Sequence, residues 1–303
     1  MIAVAACQFA CGGSDEDSPA YPGTGGALAT GGSVGVGGIV GAGGSGGTVT
    51  PGSGGAPTTG GTAGAGGTPN PPTGVLTGNT CARWGEVNGR TFLYRNNIWN
   101  DAAASQKQCI SVKETGKVGS FDVTESQISV NSGAPGSYPS IVHGWHWGKW
   151  TANSGLPKTL SSINTAASSW SYVPVSGGKY NISYDIWLHP QNNPKEPDGG
   201  LELMIWTHQQ GGAQPFGDPA GSIQLSGANW NVHKGQIVKW YYVAYVRTGG
   251  GNSVNLNLKE FFADVVKRGH AQNNWNLLSI QAGFEIWQGG QGLKTTSFTS
   301  TVN

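Results

Sequence analysis

Two glutamates stand inside apolar, aromatic-rich runs: Glu202 in Leu201-Glu202-Leu203-Met204-Ile205-Trp206, and Glu285 in Ile280-Gln281-Ala282-Gly283-Phe284-Glu285-Ile286-Trp287. Both runs read as β-strands, in which side chains alternate faces with period two. Leu201, Leu203 and Ile205 then share one face, and Glu202, Met204 and Trp206 the other. Likewise Gly283, Glu285 and Trp287 oppose Ala282, Phe284 and Ile286. Burying an unpaired carboxylate costs several kcal/mol or shifts its pKa, so two such placements point to a site. One carboxyl can serve as nucleophile and the other as proton donor, with indoles as platforms for sugar rings. That equipment suits cleavage of a glycosidic bond.

The elements that must position these groups are mostly strands. Strand-like runs span residues 90–95, 107–112, 127–130, 169–173, 180–188, 201–206, 236–247, 277–287 and 294–302, with Gly-rich turns between them. Leu258, Phe261, Phe262, Val265 and Val266 instead follow helical spacing and predict one short helix ending near Gly269. Many strands with one helix imply an all-β jelly-roll sandwich. In residues 180–188, Asp185 and Trp187 fall on the polar face, making Asp185 a third embedded acid. The other acidic residues, of 16 in the chain, are expected in the tether, in turns or on the helix.

A net charge of +1 and 11% charged residues give no electrostatic case for nucleic acid or acidic lipid as partner. Of the 52 glycines, 25 fall within residues 12–78, whereas all 12 tryptophans lie at or after Trp84. Residues 12–78, with little bulky apolar surface, are expected to be a disordered Gly/Ala/Ser/Thr/Pro-rich tether reaching about 45 Å. Residues 79–303 suffice for one buried domain. Residues 1–11 read as the remnant of an export signal. Val4-Ala5-Ala6-Cys7 resembles a lipoprotein processing box, Cys11 being a rival position. Lipid attachment to a membrane at Cys7 and cleavage of an ordinary signal stand as alternatives. Cys81 and Cys109, a lone pair in an exported domain, are expected to form a disulfide worth about 3–4 kcal/mol.

Further landmarks occur along residues 79–303: Cys81 and Trp84; Tyr94-Arg95-Asn96-Asn97-Ile98-Trp99; Gln108-Cys109; Ser137-Tyr138-Pro139-Ser140-Ile141; His146-Trp147-Gly148; and Tyr184-Asp185. With the Glu-Leu-Met-Ile-Trp and Gly-Phe-Glu segments, they resemble glycoside hydrolase family 12, the endo-acting β-1,4-glucanases with a β-jelly roll. The resemblance implies Glu202 as nucleophile, Glu285 as general acid/base and Asp185 as the acid that hydrogen-bonds near the nucleophile. It implies sugar contacts from Asn97 and Trp99, with Trp84, His146 and Trp147 alongside; alternation adds Met204 and Trp206 as cleft floor. Trp287 stands where members often have Phe, a change on the leaving-group side. Trp145 and Trp150 occupy positions where bacterial relatives often have paired cysteines; here the two indoles either pack together or extend the sugar platform. The implied partner is a β-glucan polysaccharide, met by a monomer without a cofactor.

The expected reaction is retaining hydrolysis, which needs carboxyls about 5–5.5 Å apart, a separation that adjacent strands could supply. Proximity is expected to raise the pKa of Glu285. Unbranched or mixed-linkage glucan is the family default, with xyloglucan as alternative. A non-catalytic carbohydrate-binding module is the rival from another class, since it too would use an aromatic floor. His143 and His146 supply too few ligands for a zinc site, and none is expected.

Overall fold

The computed structural model describes residues 74–131 and 133–303. Cys7, Cys11 and most of the expected tether lie outside them. In chain order the strands are β1 (Val75–Thr80), β2 (Glu86–Asn88), β3 (Leu93–Arg95), β4 (Gln108–Thr115), β5 (Val118–Ser126) and β6 (Ile128–Ser129). Then come β7 (Ser140–His146), β8 (Lys149–Trp150), β9 (Lys158–Thr159), β10 (Ala166–Val173), β11 (Lys179–His189) and β12 (Leu201–Gln210). The last six are β13 (Asp218–Leu225), β14 (Ala228–Ile237), β15 (Trp240–Arg247), β16 (Ser253–Asn257), β17 (Asn276–Gly289) and β18 (Lys294–Val302). Helix α1 (Leu258–Lys267) precedes β17.

Two sheets form the sandwich. The smaller runs β1-β4-β5-β18-β10-β16; the larger follows β13-β14-β15-β12-β11-β17-β7-β3-β2, with β6, β8 and β9 attached off that path. Alternation decides what lies between them. On β11, Tyr180, Ile182, Tyr184, Ile186 and Leu188 are buried in the core, where Tyr184 meets Trp170 of the smaller sheet edge-on at 5.1 Å. Phe121 and Phe284 make a second cross-sheet contact at 5.3 Å. Each such side chain contributes roughly 1.5–3 kcal/mol by leaving water. The other face of β11 carries Asn181, Ser183, Asp185 and Trp187. Helix α1 buries Phe261 against Trp230 and Tyr245 at 5.3 and 5.1 Å, and Gly269 at φ +80° follows its end.

Three expectations change. Strand β1 begins at Val75, inside the stretch 12–78 expected as tether, and pairs with β4 from Val75–Thr115 to Thr80–Ile110. That register brings Cys81 beside Cys109, and the two form a disulfide. Residues 236–247 are not one strand: Ile237 pairs with Trp240 across a two-residue turn, with Val238 at φ 43°. A β-branched residue in an apolar run gives no turn signal, so the hairpin was hidden. Finally, β11 lies between β12 and β17, so Glu202 and Glu285 are not on adjacent strands.

Candidate active site

The exposed face of β12, β11 and β17 floors a cavity of about 560 Å³ lined by Asp185, Glu202 and Glu285. Register explains the convergence. Trp187 pairs with Glu202 and Asp185 with Met204 on one side of β11; Asp185 pairs with Gln281 and Asn181 with Glu285 on the other. Directly paired residues point to the same face, so all three carboxyls share it. Gly283 permits close packing of the segment that borders them, because a Cβ there would sit 2.4 Å from the Pro139 carbonyl.

Each carboxyl has its own partner. Trp240 Nε1 donates to Glu202 Oε2 at 2.9 Å. Asn181 Nδ2 donates to Glu285 Oε2. Trp187 Nε1 donates to Asp185 Oδ2 at 3.2 Å, while Asp185 Oδ1 is buried without a protein partner. Burial pushes Glu202 up to about 7, against the lowering effect of Trp240. It pushes Glu285 up to about 8, opposed by Asn181 and reinforced by the charge of Glu202. Desolvation is therefore the leading cause for Glu285, and proximity of the second carboxylate, the expected cause, is secondary. Asp185 rises well above the carboxylate range through burial and then the charge of Glu202. The order leaves Glu202 the easier of the two glutamates to ionise, with Glu285 the better proton donor at neutral pH.

Of the expected sugar contacts, Asn97, Trp99, His146, Met204, Trp206 and Trp287 line the cavity. Asn97 holds φ 46°, a conformation that Asn tolerates, and its buried Oδ1 has no protein partner. Gln281 Nε2 donates to His146 Nδ1 at 2.9 Å, which places the histidine proton on Nε2, buried and without a protein partner. Burial holds this imidazole neutral, far below its usual pKa. Met204 Sδ accepts from Trp206 Nε1 and from the Tyr242 hydroxyl, each at 3.4 Å. Trp287 Nε1 donates to the Gly133 carbonyl at 3.1 Å. Trp84 and Trp147 lie outside the cavity lining: Trp84 is half-buried with Arg83 over its ring at 4.9 Å, and Trp147 meets Trp187 edge-on at 4.9 Å. His143, three residues before His146, points the other way into the sandwich, against Phe92 and Ser300.

A model of glycosyl hydrolase family 12 matches residues 90–303. The chain belongs to that family. This family 12 hydrolase is 34% identical over 215 residues to Endoglucanase S of Pectobacterium parmentieri, covering 68% of the chain and 78% of the relative. It is 26% identical over 235 residues to a probable xyloglucan-specific endo-β-1,4-glucanase A of Aspergillus terreus, covering 74% and 89%. Among solved structures, endoglucanase cel12A from Rhodothermus marinus superposes with TM-score 0.69 at 37% identity, covering 74% of this chain and 98% of that one.

Several cavity residues of the hydrolase escaped the sequence. Trp240, Tyr242 and Phe216 line it, the first two hidden by the unrecognised hairpin and Phe216 by its place in a loop. Tyr138 also lines it, within the Ser-Tyr-Pro landmark, and donates its hydroxyl to the Ser183 carbonyl at 3.0 Å. Asn181 could have been found, because it shares the polar face with Asp185. Conversely, not every buried acid belongs to the site. Glu114, read as a turn-like residue, is 1% exposed on β4. It accepts from the backbone N–H groups of Arg90 and Thr91 at 2.9 and 2.7 Å and from the Tyr94 hydroxyl at 3.3 Å. Asp264 on α1 is likewise buried, held by Arg268 and Tyr245.

Proposed function

We propose that this hydrolase is a retaining endo-β-1,4-glucanase acting on unbranched or mixed-linkage glucan. The observation that carries the reading is the pair Glu202 and Glu285, both in one tryptophan-lined cavity, with burial placing Glu202 at about 7 and Glu285 at about 8. Ionised Glu202 attacks the anomeric carbon while Glu285 gives its proton to the leaving oxygen. The C–O bond breaks and a glycosyl ester forms on Glu202. Glu285, now a carboxylate, takes a proton from water, whose oxygen displaces Glu202 and restores both groups. Burial and the charge of Glu202 favour the protonated form of Asp185, which would supply a hydrogen-bond donor near the nucleophile. The buried Asn97 Oδ1 and His146 Nε2 are suited to sugar hydroxyls, which would complete their hydrogen bonding.

A binding module would use the same aromatic floor, but it has no need to bury three carboxyls beside it at the cost of their desolvation. Higher identity to endoglucanases than to the xyloglucan-specific relative favours an unbranched main chain. The Cys81–Cys109 disulfide supports export to an oxidising compartment, with lipidation at Cys7 as the candidate anchor. The test is release of reducing ends from carboxymethylcellulose, barley β-glucan and xyloglucan, with Glu202→Gln alongside. Release from the first two that vanishes in the variant supports the proposal. Preferential release from xyloglucan replaces the substrate, and binding without release from any polymer overturns the enzyme reading.

A further inference from the structure

At 63%, Trp150 is the most exposed large apolar side chain among the described residues. It is not loosely held. Trp145 pairs with Trp150 across the β7–β8 hairpin, and their rings stack at 5.3 Å with planes 13° apart. The hairpin turns on Trp147 and Gly148 at φ 44° and 94°, the two positive values of a tight type I′ connection. A bulky residue in that conformation is strained; here the edge-on contact of Trp147 with Trp187 opposes the strain. Behind the turn, Thr151 Oγ1 accepts from Gly144 N and Thr151 N donates to the Gly144 carbonyl, both at 2.9 Å.

Beneath the exposed ring, the aromatic packing leads to the cleft. Trp145 is buried in one cluster with Trp187 and Trp240, and Ile237 packs against it. Trp240 and Ile237 line the catalytic cavity, and Trp240 holds Glu202. A rigid, uncharged indole face thus stands beyond the cavity, joined to it by continuous packing. Flat apolar rings of this kind stack on the apolar faces of sugars. A scattered surface tryptophan would need no explanation, but this one is braced by a second indole that gives it a fixed plane.

We propose that Trp150, braced by Trp145, is an accessory platform on which a glucan chain held in the cleft continues beyond its Trp240 end. The inference rests on the glucanase reading, and it makes Trp150 matter for long chains and not for short ones. In the full chain, Trp150→Ala raises KM for barley β-glucan about three- to ten-fold with kcat unchanged. Its kcat/KM on a cello-oligosaccharide short enough to fill the cavity alone stays at the wild-type value, and Trp150→Tyr restores most of the polymer KM. Native gels containing β-glucan, run with Glu202→Gln and with Glu202→Gln/Trp150→Ala, read binding without turnover, and retardation should fall in the double variant. An unchanged polymer KM with unchanged retardation overturns the platform, as does equal loss on polymer and oligosaccharide, which would mark a folding role. A concentration-dependent dimer abolished by Trp150→Ala would also overturn it, assigning the face to a second copy. Failure of wild-type enzyme to cut any glucan sinks the underlying reading instead, while the gels still decide whether Trp150 binds one.

Discussion

The indole N–H of Trp240 lies 2.9 Å from Glu202 Oε2, across the parallel pairing of β12 and β15 that sets Glu202 beside Tyr242. A neutral donor holds this carboxylate, much as Asn181 holds Glu285. Such a bond favours ionisation without cancelling the charge needed for attack.

Trp240→Phe removes that donor while keeping an aromatic ring. The pKa of Glu202 should rise by about one unit, the order of one charge-assisted hydrogen bond. The acid limb of kcat/KM moves to higher pH by that amount, and activity below pH 7 falls roughly ten-fold. A pH–rate series on a soluble glucan checks it; an unmoved acid limb would show that Trp240 only packs.

The free wild-type enzyme should give a narrow bell. Activity rises as Glu202 ionises near 7 and falls as Glu285 loses its proton near 8. Asn181→Ala removes a donor to the Glu285 carboxylate, so its pKa rises and the alkaline limb moves upward. Movement of the acid limb instead would reverse the two roles.

Stability should oppose function at these carboxyls. Glu202 and Glu285 lie above their ordinary value of 4.5 in the folded chain. Between about 4.5 and 8 the folded state therefore binds more protons than the unfolded state, and stability falls as pH rises through that window. Glu202→Gln removes one of these costs. Its Tm should exceed that of the wild type at pH 8.5, by about 2–4 °C for each kcal/mol regained, with little difference at pH 4. Thermal melts at the two pH values decide, and an equal gain at both would refute the linkage.

Glu114 predicts the opposite behaviour. Its carboxylate accepts from the Arg90 and Thr91 amides and the Tyr94 hydroxyl, so Glu114→Ala leaves buried donors unmet. A loss of about 3 kcal/mol is expected, with kcat on glucan unchanged at a temperature where the variant is folded. Denaturant unfolding beside a rate assay would test both halves.

Much of this was legible because alternation is a strong constraint. It put Glu202, Met204 and Trp206 on one face, and the fold sets that face against the cavity. Helical spacing located α1 for the same reason: one apolar stripe must find the core. Periodicity carries no information about which strands are neighbours, so the interposed β11 between the two glutamates was not foreseen. Nor could it show a turn at Val238, since that positive φ is imposed by pairing on both sides; Trp240 was lost with it. The strand-like run 107–112 stops short of Glu114, whose burial depends on the amides of residues 90 and 91, a tertiary contact without a local sign.

The most direct test is to trap the glycosyl-enzyme. The protein would be incubated with 2,4-dinitrophenyl 2-deoxy-2-fluoro-β-cellobioside, digested and mapped by mass spectrometry. One fluorocellobiosyl group on the peptide containing Glu202, absent in Glu202→Gln, is the predicted result. An adduct on Glu285, or hydrolysis of glucan with inverted configuration and no adduct, would contradict the account.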